Sequence, residues 1–380
     1  MSKWAGKYVI GLTGNIATGK SVARRMLEHL GAYGIDADAL GHRAIAHGAP
    51  GYQAVVETFG QWILDPGGQI DRAKLGRVVF SDAAALVKLE EIVHPLVGQA
   101  VDLLIKRSHQ KVVVIEAIKL LESDLKNLCD SIWVTFAPYE AQLQRLVERR
   151  KMSETDARQR IAAQPPQEQK MAAANIVIKN DESYEETWQQ IVLAWQQIMP
   201  QSDDQPTIEI KRTKADEVSL QVVRARPKDS KMIARFINHN QKDAPPLAAT
   251  DIMAAFGENA FLMLQAGEKI VGLISLQVEN LISRTADIVV DPSIAVEKAL
   301  KPLIEEMERA SMDLQSEASL VFAPKAISQQ ENLWKSLGYQ ACVPEDLDIQ
   351  AWQEAAKESV LPGTTLFFKQ LRQDRVLRPI

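Results

Sequence analysis

Gly14, Gly19, Lys20 and Ser21 fall in GLTGNIATGKS at the spacing G-x-x-x-x-G-K-S, and each residue type has a use there. The two glycines let the backbone between them bend until the N–H groups of Asn15, Ile16, Ala17 and Thr18 turn toward one point, which suits the oxygens of a phosphate chain. The run follows an apolar strand and precedes the amphipathic SVARRMLEHL. A helix starting near Lys20 therefore aims its positive end, with Ser21 and Val22, at the same point. Lys20 sets a cation against the outer phosphates, and the Ser21 hydroxyl is placed to ligate Mg2+. The chemistry implied is the binding of a nucleoside triphosphate, most simply ATP with Mg2+.

What receives the phosphate must come from other residues. Asp36 and Asp38 leave a second short strand in YGIDADALGHRAI. In a parallel sheet that edge lies beside the phosphate loop, so one carboxylate can take the proton of an attacking hydroxyl while the other caps the following helix. Asp38 is assigned as base and Asp36 as the more structural of the two. Glu116 ends VVVIE, where it can hold the metal through water or serve as a capping or ion-paired acid. A basic helix brings Arg145, Arg149 and Arg150, which could cover a phosphoryl group and offset its charge, and Ser153 with Asp156 reads as a capping box opening the next helix.

These residues need a scaffold, and the apolar pattern supplies one. YVIGLT, YGI, VVVIE, IWVTF and NIVI are short continuous apolar runs separated by helical stretches, the signature of a parallel α/β sheet covered on both faces. Between Pro50 and His109 the pattern is helical. After MPQSDDQPT, a polar connection at residues 199 to 207, the runs SLQVVRAR, AFLMLQ, KIVGLISLQV, TADIVV, ASLVFA and TTLFFKQL read as antiparallel strands. Helices are expected at 229 to 239, 294 to 315 and 327 to 336. The expected domains are 1–203, α/β, and 206–380, α+β.

Composition removes several classes of function. With 44 basic against 49 acidic residues the formal charge is −5, so no broad positive field exists for a nucleic acid. Cys129 and Cys342 stand in separate halves, which excludes a disulfide framework and fits a reducing cytoplasm. The histidines show no metal-ligand spacing, and no apolar run is long enough to cross a membrane. Oligomeric state is not fixed by any of these features.

The collinear order IGLTGNIATGKS, IDADALGHRAI, LDPGGQIDRAKLGRVVFSD, IVHPLV, VVVIEAIKLLES, QRLVERRKMSETDARQRIAAQ and ANIVIKND resembles dephospho-CoA kinase over about residues 7 to 197. The resemblance implies a P-loop kinase with a five-stranded parallel core, a helical acceptor-binding region and an arginine-bearing lid. It implies transfer of the ATP γ-phosphoryl group to the 3′-hydroxyl of dephospho-CoA, the last step of coenzyme A synthesis. On this sequence it assigns Lys20 and Ser21 to phosphate and metal, Asp38 to the base and Arg145 to catalysis. Arg149 falls with Arg145 among the nucleotide contacts, and Asn180 is carried to a position near the adenine. His94 and Pro95 match a pair in the acceptor region, with a helix ending at His94 as the simpler reading. Two positions depart from the pattern: Lys119, where proline is common, and Arg150, where aspartate is usual. A different small-molecule kinase on the same scaffold, or a nucleotide-dependent regulatory protein, are the alternatives. The latter would be expected to show an NKxD motif, which is absent.

Downstream, VVRARPKDSKMIARFI, FLMLQAGEKIVGLISLQV, ADIVVDPS and NLWKSLGYQ resemble a GNAT-type acyltransferase over about residues 219 to 342. That family uses a glycine-rich loop for a pyrophosphate. Here the loop from Ser293 to Ala299 has no glycine and contains Glu297, so an acyltransferase-like fold with little or no transfer activity is expected. Trp334, Leu337 and Tyr339 read as core.

Overall fold

The run from Tyr8 to Gly14 is continuously apolar rather than alternating, because both of its faces must be covered. In a computed structural model, which describes residues 3–181, 183–199, 220–241, 244–374 and 376–377, it forms β1 (Tyr8–Gly14), buried from Val9 onward. There follow α1 (Lys20–His29), β2 (Tyr33–Asp36) and α2 (Ala37–Ala44), then α3 (Tyr52–Phe59), α4 (Arg72–Ser81) and α5 (Ala83–Arg107). Next come β3 (Val112–Glu116), β4 (Ser131–Phe136), α6 (Tyr139–Glu148), α7 (Glu154–Ala162), α8 (Gln167–Ala172), β5 (Ile176–Lys179) and α9 (Tyr184–Ile198).

The five strands pair in the order β2-β3-β1-β4-β5, all parallel. The connection after β1 runs to β2 on one side and that after β3 to β4 on the other. Such a reversal opens a crevice at the carboxyl ends of the strands. Register sets Glu116 between Leu12 and Asp36 at those ends.

Helices α3, α4 and α5 gather around Val55, Leu75, Val79 and Ala85, with Asp71 and Asp82 capping α4 and α5. Helix α5 does not stop at His94. It is 25 residues long and runs through Pro95, with both residues exposed. Proline has no N–H to give to the Glu91 carbonyl, and on an exposed face water can take that acceptor. The expected helix end is thus corrected.

The second half contains β6 (Leu220–Arg224), α10 (Ser230–Asn240), α11 (Ala249–Ala255), β7 (Ala260–Ala266), β8 (Lys269–Glu279), β9 (Ile282–Val290) and α12 (Val296–Asp313). It ends with β10 (Ala318–Pro324), α13 (Lys325–Ser328), α14 (Glu331–Ser336), β11 (Gln340–Ala341), α15 (Gln350–Ser359) and β12 (Thr364–Gln370). Seven strands pair as β11-β12-β10-β9-β8-β7-β6. Leu262 and Leu264 pack with α12, and the alternate residues Phe261 and Met263 pack with α10 and α11, so helices cover both faces.

Three expectations change here. The pair β9 and β10 is parallel, not antiparallel, because the 18-residue α12 carries the chain back across the sheet. The helix expected at 327 to 336 is two short ones, and α11 and α15 were not expected. Trp334, Leu337 and Tyr339 are core residues, with Trp334 stacked on Phe367 at 4.3 Å.

Contacts divide the chain into two compact units, Met1–Lys20 with Gly31–Asp181 and Asp374–Ile380, and Ser21–Leu30 with Glu182–Gln373. Helices α1 and α9 thus group with the second sheet, although both precede residue 203. The boundary near residue 205, and the polar connection beyond Met199, lie outside the described residues.

Candidate active site

The loop between β1 and α1 is shaped by groups beneath it. At Gly14 an added Cβ would strike Thr135, and at Gly19, with φ +94°, it would strike the Asn180 side-chain amide. These two close approaches are why only glycine fits there. Thr18 turns its hydroxyl inward to Asn15 O and Thr135 Oγ1, both at 2.8 Å. Ala17 takes φ +58°, a conformation a side chain rarely adopts. Asn180 donates to Thr18 O at 3.0 Å, and Arg145 donates to Ala17 O at 3.1 Å and Asn180 O at 2.6 Å.

Arg145 therefore sits against the backbone of the phosphate loop, where it holds Ala17 and Asn180 together. Asn180 likewise lies under the loop, its amide engaged with Thr18. Arg149 and Arg150 are exposed. Helix α7 is opened by Ser153, which accepts from Asp156 N at 3.1 Å, while its hydroxyl goes to the Asp156 carboxylate at 2.6 Å. Half of the expected capping box is formed, since that carboxylate takes the serine hydroxyl rather than its backbone N–H.

Lys20 is 8% exposed and donates to Gly14 O and Asn15 O, both at 3.1 Å. Burial lowers its pKa, opposed by the charges of Glu116 and Asp38 and reinforced by Lys170 and Arg150. Ser21 is the exposed second residue of α1, and Val22, half-buried, follows it. Glu116 is 4% exposed at the end of β3.

The two aspartates separate as their positions require. Asp36 caps α2, accepting from Ala39 N at 2.9 Å. Asp38 accepts from Ile118 N at 3.0 Å. Burial raises its pKa and Glu116 adds to this, while the Ile118 N–H, Lys20 and Lys170 oppose. A carboxylate so placed, with an elevated pKa and cations facing it, has the properties of a general base.

A family model described as dephospho-CoA kinase matches residues 8–186. The dephospho-CoA kinase of Geobacter sulfurreducens is 40% identical over 195 residues, which is 50% of this chain and 99% of that protein. The chain belongs to the dephospho-CoA kinase family. The dephospho-CoA kinases of Carboxydothermus hydrogenoformans and Streptomyces avermitilis are 43% and 45% identical, each over 187 residues and 91% of its own length. Among solved structures, a protein from Thermus thermophilus is 30% identical and covers 51% of this chain and 98% of its own, with a TM-score of 0.47. A GNAT-family acetyltransferase from Staphylococcus aureus is 14% identical and covers 40% of this chain and 100% of its own, with a TM-score of 0.33.

Two residues of this dephospho-CoA kinase family member were not singled out by the sequence reading. Gln164 accepts from the Ile16 backbone N–H at 2.7 Å, and Lys170 donates to Ile118 O at 2.6 Å. Both belong to IAAQPPQEQK, with Gln164 between α7 and α8 and Lys170 within α8. Lys119, the departure in EAIKLLES, follows β3 and pairs with Glu90 of α5 at 2.6 Å.

Proposed function

We propose that the chain transfers the γ-phosphoryl group of ATP to the 3′-hydroxyl of dephospho-CoA, giving coenzyme A and ADP, with Asp38 as base and Lys20 as the cation on the transferring group. The observation that carries the assignment is the placing of Asp38, fixed by the Ile118 N–H at the strand ends where Lys20 also lies. In this reading Asp38 takes the hydroxyl proton, the 3′-oxygen bonds to the γ-phosphorus, and the bond to the bridging oxygen breaks, with ADP leaving. The backbone from Gly14 to Gly19 cradles the phosphates. Arg145 and Asn180 hold that backbone in shape, with Arg149 beside them on the nucleotide side.

Magnesium suits the donors available. The Ser21 hydroxyl and the Glu116 carboxylate are oxygen ligands, and a metal completed by phosphate oxygens and water needs no cluster of three protein acids or histidines. None occurs among the described residues. When bound, Mg2+ would supply positive charge to the β- and γ-phosphate oxygens.

Among the described residues no helix is long and apolar enough to cross a membrane. The two free thiols, Cys129 and Cys342, favour a reducing cytoplasm.

ADP release measured with dephospho-CoA, nucleosides, shikimate and gluconate tests the substrate. Turnover should appear with dephospho-CoA, and turnover with another acceptor in its place overturns the reading. Asp38→Asn should lose about 10²- to 10⁴-fold in kcat while still binding ATP. Near-normal turnover would remove Asp38 as base.

A further inference from the structure

Lys170 is the fourth residue of α8, and only 4% of it is exposed. Among the described residues its ammonium makes one hydrogen bond, to Ile118 O. An ammonium has three donors, so two N–H groups are left inside the protein without a protein acceptor. Burial lowers the pKa of Lys170, and the charges of Glu122 and Asp38 oppose that.

Ile118 ties this cation to the reacting groups. Its N–H holds the Asp38 carboxylate at 3.0 Å, and its carbonyl takes both Lys170 and Thr13 Oγ1, the latter at 3.1 Å. The proposed base and a second ammonium are thus fixed to the two ends of one residue, two positions beyond Glu116. Lys20 is held similarly, on the carbonyls of Gly14 and Asn15. A bond from ammonium to a neutral carbonyl can be exchanged for one to a phosphoryl oxygen, because opposite charges on the two partners add Coulomb attraction to the hydrogen bond. Of the nearby arginines, Arg145 braces the loop through Ala17 O and Asn180 O, and Arg149 and Arg150 are exposed.

We propose that Lys170 is a second catalytic cation, giving its N–H donors to the transferring phosphoryl group on the acceptor side while Lys20 serves the ATP side. This rests on the phosphoryl-transfer reading above and deepens it. As the 3′-oxygen bonds to phosphorus and the bridging bond breaks, Lys170 exchanges Ile118 O for an equatorial oxygen and returns afterward, neither gaining nor losing a proton.

The test compares full-length wild type, Lys170→Met, Lys170→Arg and Lys20→Ala by steady-state ADP release with ATP and dephospho-CoA varied. It also measures binding of ADP with and without aluminium fluoride, an analogue of the transferring group. Lys170→Met should lower kcat by about 10²- to 10³-fold, the loss typical of one such donor, with the KM for ATP changed less than about threefold. Lys170→Arg should recover to within about tenfold of wild type, since a cationic donor remains. The Met variant should bind ADP normally and bind ADP with aluminium fluoride more weakly. A kcat within threefold of wild type, a loss confined to KM, no recovery by arginine, or equal weakening with ADP alone would each overturn the proposal. If Lys170→Met does not fold, Lys170→Gln keeps a donor without charge and carries the same comparison. Turnover retained by Lys20→Ala would instead sink the phosphoryl-transfer reading, whereas an inactive Lys20→Ala beside an unaffected Lys170→Met overturns only the role of Lys170.

Discussion

The backbone N–H of Ile16 donates to the side-chain oxygen of Gln164 at 2.7 Å, so one donor of the phosphate loop is bonded to a neutral amide from the segment after α7. Asn15 reaches the same segment, giving its amide to Pro165 O at 2.8 Å. A phosphate oxygen that needs the Ile16 N–H must displace Gln164. Because a neutral hydrogen bond contributes about 0.5–1.5 kcal/mol, Gln164→Ala should lower the KM for ATP roughly two- to tenfold. Its kcat should change little. Steady-state kinetics decide: a higher KM would mean that Gln164 holds the nucleotide rather than competing with it.

Arg145 offers a choice between two roles that kinetics can separate. Its bonds to Ala17 O and Asn180 O make it a brace for the loop, so Arg145→Ala should raise the KM for ATP about tenfold or more by loosening two charge-assisted contacts. A variant with unchanged KM and strongly reduced kcat would favour the alternative from the family resemblance, an arginine that covers the phosphoryl group during transfer.

His29, the last residue of α1, makes stability depend on pH. Its Nε2–H donates to Phe256 O at 2.7 Å, and Nδ1 is buried with no partner among the described residues. Burial lowers the imidazole pKa to about 3; Arg224 and Arg25 add to the shift, and the Phe256 carbonyl and Glu28 oppose it. Above the unfolded value of 6.5 the ring is neutral in both states and has no effect. Below 6.5 the unfolded chain binds a proton that the folded chain refuses, so stability falls as pH drops from 6.5 toward 3. His29→Gln keeps a donor for Phe256 but cannot titrate. Its melting temperature should fall less steeply over that window, and parallel curves for the two proteins would remove His29 as the cause.

Much of the first site was legible because its chemistry depends on short spacing. The phosphate loop, the Asp36 cap and Asp38 each sit within a few residues of a strand end, where a local pattern determines which way the chain turns. Lys170 and Gln164 were not legible. Their partners, Ile118 and Ile16, are 52 and 148 residues away in sequence. Nothing within IAAQPPQEQK marks them, since an isolated lysine or glutamine in a polar segment usually faces solvent. In the second half, alternation revealed the main strands, but the parallel pairing of β9 with β10 depends on the length and return path of α12.

The polar connection suggests that residues 1–203 fold and catalyse alone, and α1 bears on this. This helix begins with Lys20 and Ser21, yet Arg24, Arg25 and Glu28 are buried as an ion-paired group, and Arg25 also donates to Val278 O at 2.9 Å. A fragment ending at residue 199 lacks both Val278 and Phe256. Losing the charged bond to Val278 removes about 1.5–3 kcal/mol and losing the neutral one from His29 to Phe256 about 0.5–1.5 kcal/mol, so the fragment should melt several degrees below the full chain and lose turnover. Equal melting temperature and kcat would establish that the first 199 residues stand alone.

The loop that leads into α12 bears on whether the second half transfers acyl groups. Asp291 accepts from Ser293 N at 2.9 Å and pairs with Lys269 at 2.8 Å, and Ile294 N donates to Asp291 O at 3.1 Å. The bond to Lys269, with those to Ser293, holds the Asp291 carboxyl well below the usual carboxylate range. It is therefore a fixed negative charge at neutral pH. Glu297 lies in the first turn of α12. A pyrophosphate brought to this end would find two loop N–H groups already bonded to Asp291 and a second acid beside it, so the favourable field of the helix end is largely offset. We therefore propose a structural or regulatory role for residues 206–380. Full-length protein incubated with acetyl-CoA and a panel of amines should release no more free thiol than buffer alone. Thiol release matched mole for mole by acetylated amine would refute this, and would require an anion-binding arrangement other than the N-terminus of α12.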